Sequence, residues 1–109
     1  MVTPLAHDRA GNGEPLVLVH PLGADRGVWQ PVLPFLADRH DCIVVDMPGF
    51  GESPELAADT RQTAGEVAAT IAATLDALDV ERAHVAGLSL GAWVAVSYTH
   101  LTLPTTPYV

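Results

Sequence analysis

Three short, nearly uninterrupted apolar runs constrain this chain more than any other feature: Leu16-Val17-Leu18-Val19, Cys42-Ile43-Val44-Val45 and Ala83-His84-Val85-Ala86. A strand with one wet face alternates apolar and polar residues, whereas runs without alternation belong to strands covered on both faces, the usual state of a parallel sheet. The Gly11-Asn12-Gly13 turn and Glu14-Pro15 mark where the first run begins, and a weaker strand signal lies between Pro4 and Arg9. Between the first two runs, Val28 to Leu36 reads as a short helix with proline in its first turn, where a missing N–H does least harm. Between the second and third, Thr63-Ala64-Gly65-Glu66 is a capping box, and Val67, Ile71, Leu75 and Leu78 follow at helical spacing along one face. Asp79 follows that helix where glycine is common, and Asp is one of the few other residues that tolerates a left-handed backbone. Strand and helix in this alternation predict right-handed crossovers and an α/β fold, a mostly parallel sheet with flanking helices. At 109 residues the chain holds one domain at most.

Composition narrows the partners. Apolar residues make up 49% and charged residues 17%, as in globular chains. The formal charge of −8 repels phosphate backbones and anionic membrane surfaces, so no nucleic acid and no membrane is expected as partner. The one cysteine, Cys42, lies inside an apolar run as a small hydrophobe; no internal disulfide can form and no metal-ligand spacing occurs. The N-terminus lacks the pattern of a secretory signal and no run approaches the length of a membrane span, so a cytoplasmic location is the expectation.

Ligands of parallel α/β sheets gather outside the carboxyl ends of the strands, and the unusual residues of this sequence lie at those ends. They are His20-Pro21-Leu22-Gly23, Asp46-Met47-Pro48-Gly49-Phe50-Gly51-Glu52-Ser53 and Gly87-Leu88-Ser89-Leu90-Gly91. The last matches G-x-S-x-G, in which a serine tops a sharp, strained turn from strand to helix and flanking glycines avoid collision with the neighbouring strand and helix. The plainer alternative is a tight glycine turn whose serine only caps the helix. A nucleotide site would need G-x-G-x-x-G or a Walker A lysine after a strand, and neither is present. A nucleophilic serine also needs two N–H donors for the developing oxyanion, each worth on the order of 3 kcal/mol in the transition state. The backbone of Leu90 supplies one; the loop after the first strand supplies the other, from Leu22 because Pro21 has no N–H.

In this order and spacing, the three motifs resemble the first half of the α/β-hydrolase superfamily over about residues 2 to 95, and especially its bacterial esterases, enol-lactonases and cofactor-free haloperoxidases. The resemblance implies Ser89 as nucleophile, the backbones of Leu22 and Leu90 as oxyanion hole, and His20 as a support for the oxyanion loop rather than the base. It implies that Asp46 fixes a turn and is not the catalytic acid, and that Trp29 and Trp93 are core or pocket wall. The family more often has His-Gly where this chain has His20-Pro21. The implied activity is hydrolysis of a small carboxylic ester or lactone through an acyl-serine, with no cofactor and no metal. Peroxide in place of water, acyl transfer to another acceptor, and a non-catalytic binding domain are the alternatives.

The superfamily places its acid and then its histidine after the serine. The 20 residues after Ser89 contain no Asp or Glu, and their one imidazole, His100, comes too soon to be the base. The chain is therefore expected to be an incomplete and inactive part of a hydrolase domain, with a bare parallel sheet edge after its last strand. At about Val96 the alanine-rich sequence gives way to a tail with four threonines and two prolines. Val96 to Thr105 resembles a translation of a transposon-end adapter used in sequencing libraries, so residues 96–109 are read as a non-native tail.

Overall fold

The computed structural model describes residues 4–56 and 63–101. Four strands, β1 (His7–Ala10), β2 (Glu14–Val19), β3 (His40–Val45) and β4 (His84–Gly87), form one sheet in the order β1-β3-β2-β4. β2 pairs in parallel with both β3 and β4, while β1 pairs antiparallel with β3 at one edge. The three apolar runs are thus the three parallel strands.

Their lack of alternation has the physical cause the sequence implies. Val17, Val19, Ile43, Val45 and Val85 point to one face and join Val67, Ile71 and Leu75 of helix α2 (Ala64–Ala77) and Val94 and Ala95 of helix α3 (Leu90–Leu101). Leu18, Cys42 and Val44 point to the other, where Leu16, Trp29, Leu33 and Leu36 pack on them. Each such side chain fully removed from water contributes roughly 1.5–3 kcal/mol, so both layers hold the sheet.

The segment from Val28 to Leu36 departs from the expected single helix. It is a 3-10 turn (Arg26–Trp29) followed by the four-residue α1 (Leu33–Leu36). Pro31 and Pro34 remove two backbone donors three residues apart, so a continuous helical ladder cannot form. Asp25 caps the 3-10 turn by accepting the Gly27 N–H at 2.8 Å. The capping signal at Thr63 is borne out, its Oγ1 accepting the Glu66 N–H at 3.2 Å. Asp79 takes the left-handed conformation, φ +58°, and the chain turns there so that the Val80 N–H reaches the Leu75 carbonyl at 2.9 Å. α3 runs on through the change of composition at Val96 to Leu101, with Tyr98 buried against the first core layer.

Candidate active site

The carboxyl ends of β2, β3 and β4 lie side by side because the three strands are parallel neighbours, and the loops that leave them carry the candidate site residues. At the end of β4 the Leu88 N–H still reaches the Val19 carbonyl, at 3.3 Å, and the chain then reverses into α3. Ser89 sits at the corner with φ +56°, a left-handed conformation that costs a non-glycine residue roughly 1–2 kcal/mol, and it is exposed. The Gly91 N–H on the Leu88 carbonyl (2.9 Å) and the Ala92 N–H on the Ser89 carbonyl (3.0 Å) tie the corner to the first turn of α3.

Both glycines of the motif are sterically obligatory. A Cβ on Gly87 would lie 2.2 Å from the Gly91 backbone, and one on Gly91 would lie 2.4 Å from the Val19 carbonyl oxygen and 2.7 Å from that of His20. Helix and strand are packed backbone to backbone, which presses the serine corner against the root of the loop after β2. Leu90 is the first residue of α3, so its N–H lies outside the helical ladder, at the positive end of the helix.

The loop after β2 is a tight turn closed by the Ala24 N–H on the Pro21 carbonyl, 3.2 Å, with Gly23 at φ +82°. That bond uses neither the Leu22 nor the Gly23 N–H. Leu22 is two-thirds exposed (67%) at the turn's apex.

His20 is buried with both ring nitrogens engaged. Nδ1 lies 2.8 Å from the Pro21 carbonyl and Nε2 accepts the Met47 N–H at 3.0 Å, a pattern that only the neutral Nδ1–H tautomer satisfies. The Phe50 ring packs edge-on, centroids 5.5 Å apart. The imidazole therefore straps the loop after β2 to the loop after β3.

Asp46 is buried at the end of β3. Its Oδ1 accepts the backbone N–H of Arg26 at 2.7 Å, and its Oδ2 accepts the Glu52 N–H at 2.9 Å together with the Arg26 guanidinium. Burial alone would push this carboxyl up. The N–H groups of Glu52 and Arg26 and the Arg26 charge outweigh it and hold Asp46 below the usual carboxylate range. A Cβ on Gly51 would meet Oδ2 at 2.2 Å, so the loop after β3 is folded around the carboxylate. Ser53 locks the same loop, its hydroxyl donating to the Asp46 carbonyl at 2.7 Å and accepting the Ala6 N–H at 2.9 Å.

Arg26 was not foreseen from the sequence. Its guanidinium also pairs with Asp8 at 3.1 Å and Glu52 at 2.6 Å, linking β1, the 3-10 turn and the loop after β3. The available signal was only a basic residue, scarce in a chain with 5 Lys+Arg, shortly after one motif, with the acidic Asp46 and Glu52 in another. Trp93 also differs from expectation: it is 69% exposed on α3, while Trp29 packs against the second core layer. A cavity of about 370 Å³ has Leu22, Met47, Pro48, Phe50, Val67 and Val94 in its walls. Among the described residues no cluster of His, Cys, Asp and Glu is arranged to hold a metal ion, and no helix is long and apolar enough to cross a membrane.

Comparison with known proteins agrees with this geometry. Residues 14–105 match the family model of the alpha/beta hydrolase fold. The chain is 42% identical over 89 residues to the dihydrolipoyllysine-residue acetyltransferase component of the acetoin cleaving system of Pseudomonas putida, covering 82% of this chain and 24% of that one. It is 41% identical over 88 residues to the pimeloyl-[acyl-carrier protein] methyl ester esterase of Aeromonas hydrophila, covering 81% of this chain and 33% of the relative. The solved structure of an N-acyl homoserine lactone degrading enzyme superposes with a TM-score of 0.78 at 36% identity, covering 92% of this chain and 38% of that protein. The chain thus spans between a quarter and two-fifths of the length of these proteins.

Proposed function

The chain belongs to the alpha/beta hydrolase fold family, and from that premise we propose that the full-length protein hydrolyses a small carboxylic ester or lactone with Ser89 as nucleophile. The observation that carries this reading is the corner itself: an exposed serine at φ +56°, between two glycines that admit no side chain, at the carboxyl edge of a parallel sheet. A strained conformation is kept only where packing enforces it, and here it leaves the serine exposed at the corner.

The Ser89 hydroxyl attacks the substrate carbonyl carbon and its proton passes to a histidine base. The negative charge that develops on the carbonyl oxygen is met by the N–H groups of Leu22 and Leu90. Collapse expels the alcohol, leaving an acyl-serine that water then hydrolyses. In this reading the histidine and its orienting carboxylate come from outside these 109 residues, since the superfamily places both well after the serine. Of the two groups beside the corner's neighbouring loops, His20 is held between two backbone partners and Asp46 is committed to Arg26 and Glu52. The 109-residue chain alone is accordingly inactive. The relatives named for ester and lactone chemistry support this substrate class, and the Pseudomonas putida relative named for acetyl transfer favours acyl transfer to another acceptor as the second reading.

The test is turnover of p-nitrophenyl acetate by the full-length protein, by its Ser89→Ala variant and by the 109-residue chain. Turnover by the first alone is expected. A Ser89→Ala protein as active as wild type would refute the nucleophile, and Ser89-dependent turnover by the short chain would refute its inactivity.

A further inference from the structure

Leu22 lies in a loop fastened at both ends to two consecutive residues at the exit of β3. At the near end, His20 Nε2 accepts the Met47 N–H (3.0 Å); at the far end, the Asp46 carboxylate accepts the Arg26 backbone N–H (2.7 Å). We propose that Asp46 is a positioning residue for the oxyanion loop, its carboxylate fixing the far end of the 20–26 segment and so the direction of the Leu22 N–H. The inference rests on the assignment of Leu22 as oxyanion donor.

The turn from Pro21 to Ala24 is closed only on itself, by the Ala24 N–H on the Pro21 carbonyl, so without the Asp46 anchor it can shift as a unit about His20, and fixing it at the moment of reaction would cost conformational entropy. An oxyanion donor must also lie within a few tenths of an ångström of its place. The second anchor removes that freedom before substrate arrives.

The chemistry of position 46 is specific to a carboxylate. Two acceptor oxygens take three donors: the Arg26 N–H on Oδ1, and the Glu52 N–H and the guanidinium on Oδ2. An asparagine offers one oxygen and one NH₂, so in either orientation a donor faces a donor. The Arg26 side chain is secondary to the clamp itself, since the anchoring N–H belongs to the backbone and persists when the side chain is changed.

Backbone ¹⁵N relaxation of the full-length protein tests this, with Ile71 and Leu75 in α2 as internal reference for folding. Leu22 and Gly23 are expected to have order parameters near the rigid value of about 0.85 in the wild type and below about 0.6 in Asp46→Ala. In Arg26→Gln they should stay near wild type, because the backbone anchor remains. Unchanged order parameters at Leu22 and Gly23 in a folded Asp46→Ala chain would overturn the proposal, as would an Arg26→Gln chain as mobile there as Asp46→Ala. If Asp46→Ala loses the α2 resonances, Asp46→Asn decides: increased mobility confined to residues 21–25 supports the clamp, and its absence overturns it. In the full-length protein Asp46→Asn should lower kcat for p-nitrophenyl acetate at least tenfold with KM unchanged, whereas a rise in KM alone would contradict a positioning role. The relaxation measurement needs no catalysis, so it stands or falls independently of whether Ser89 acylates.

Discussion

Replacing Gly91 by alanine sets two well-characterised effects against each other. Gly91 is the second residue of α3 and its φ is not positive, so helix propensity alone makes Gly91→Ala stabilising by up to about 1 kcal/mol. The structure places the new methyl 2.4 Å from the Val19 carbonyl oxygen, 2.7 Å from that of His20 and 2.9 Å from the Val19 carbonyl carbon, all backbone atoms that no rotamer can move aside. Restoring a tolerable contact needs the start of α3 to retreat from β2 by roughly 0.6–1 Å, and overpacking of this kind costs about 1–3 kcal/mol. The steric effect wins, with a net loss of about 2 kcal/mol. Urea denaturation followed by circular dichroism measures it, with Gly65→Ala as the control. Gly65 also lies in the first turn of a helix, but the nearest atom to its added methyl is the Thr63 hydroxyl at 3.8 Å, so there alanine should stabilise. A Gly91→Ala protein as stable as wild type, beside a stabilised Gly65→Ala, would refute the close packing of the serine corner on β2.

Two further outcomes follow from the same geometry and a third from the sequence of the tail. Ser89→Gly should be more stable than Ser89→Ala by about 1 kcal/mol, since only glycine relieves the left-handed corner; equal urea midpoints would contradict the strain. Asp46 is held below its ordinary value in the fold, so its contribution to stability is complete above its unfolded pKa of about 3.9 and lost as pH falls through the lower folded value. The stability difference between wild type and Asp46→Asn should therefore be level from pH 7 to 5 and narrow below about pH 4, and a difference that widens on acidification would contradict the assignment. Amplification of the locus from source DNA should give residues other than Val96–Val109 after Ala95, and an unchanged tail would refute its reading as adapter sequence.

The parallel strands were legible because both of their faces are buried, which writes continuous apolarity into Leu16–Val19 and Cys42–Val45. The serine corner was legible because its steric demands fall on glycines at fixed offsets from Ser89. Features that depend on pairing across the fold were not. β1 is an edge strand of mostly exposed residues, His7-Asp8-Arg9-Ala10, so it carries little apolar signal, and its antiparallel partner is 35 or so residues away. Arg26 acquires its role only when β1, the 3-10 turn and the loop after β3 are brought together, and no local periodicity marks such a meeting. The broken helix before β3 was half-legible: Pro31 and Pro34 are plain in the sequence, but how the chain divides between a 3-10 turn and α1 depends on Trp29, Leu33 and Leu36 reaching the sheet.

The central claim is that Ser89 is the reactive group at this corner. Peptide mapping by mass spectrometry after treating the folded full-length protein with a fluorophosphonate measures it most directly. One phosphonyl adduct on the peptide containing Ser89, absent from Ser89→Ala, is the predicted result; an adduct confined to another residue, or none on a folded protein, would contradict it.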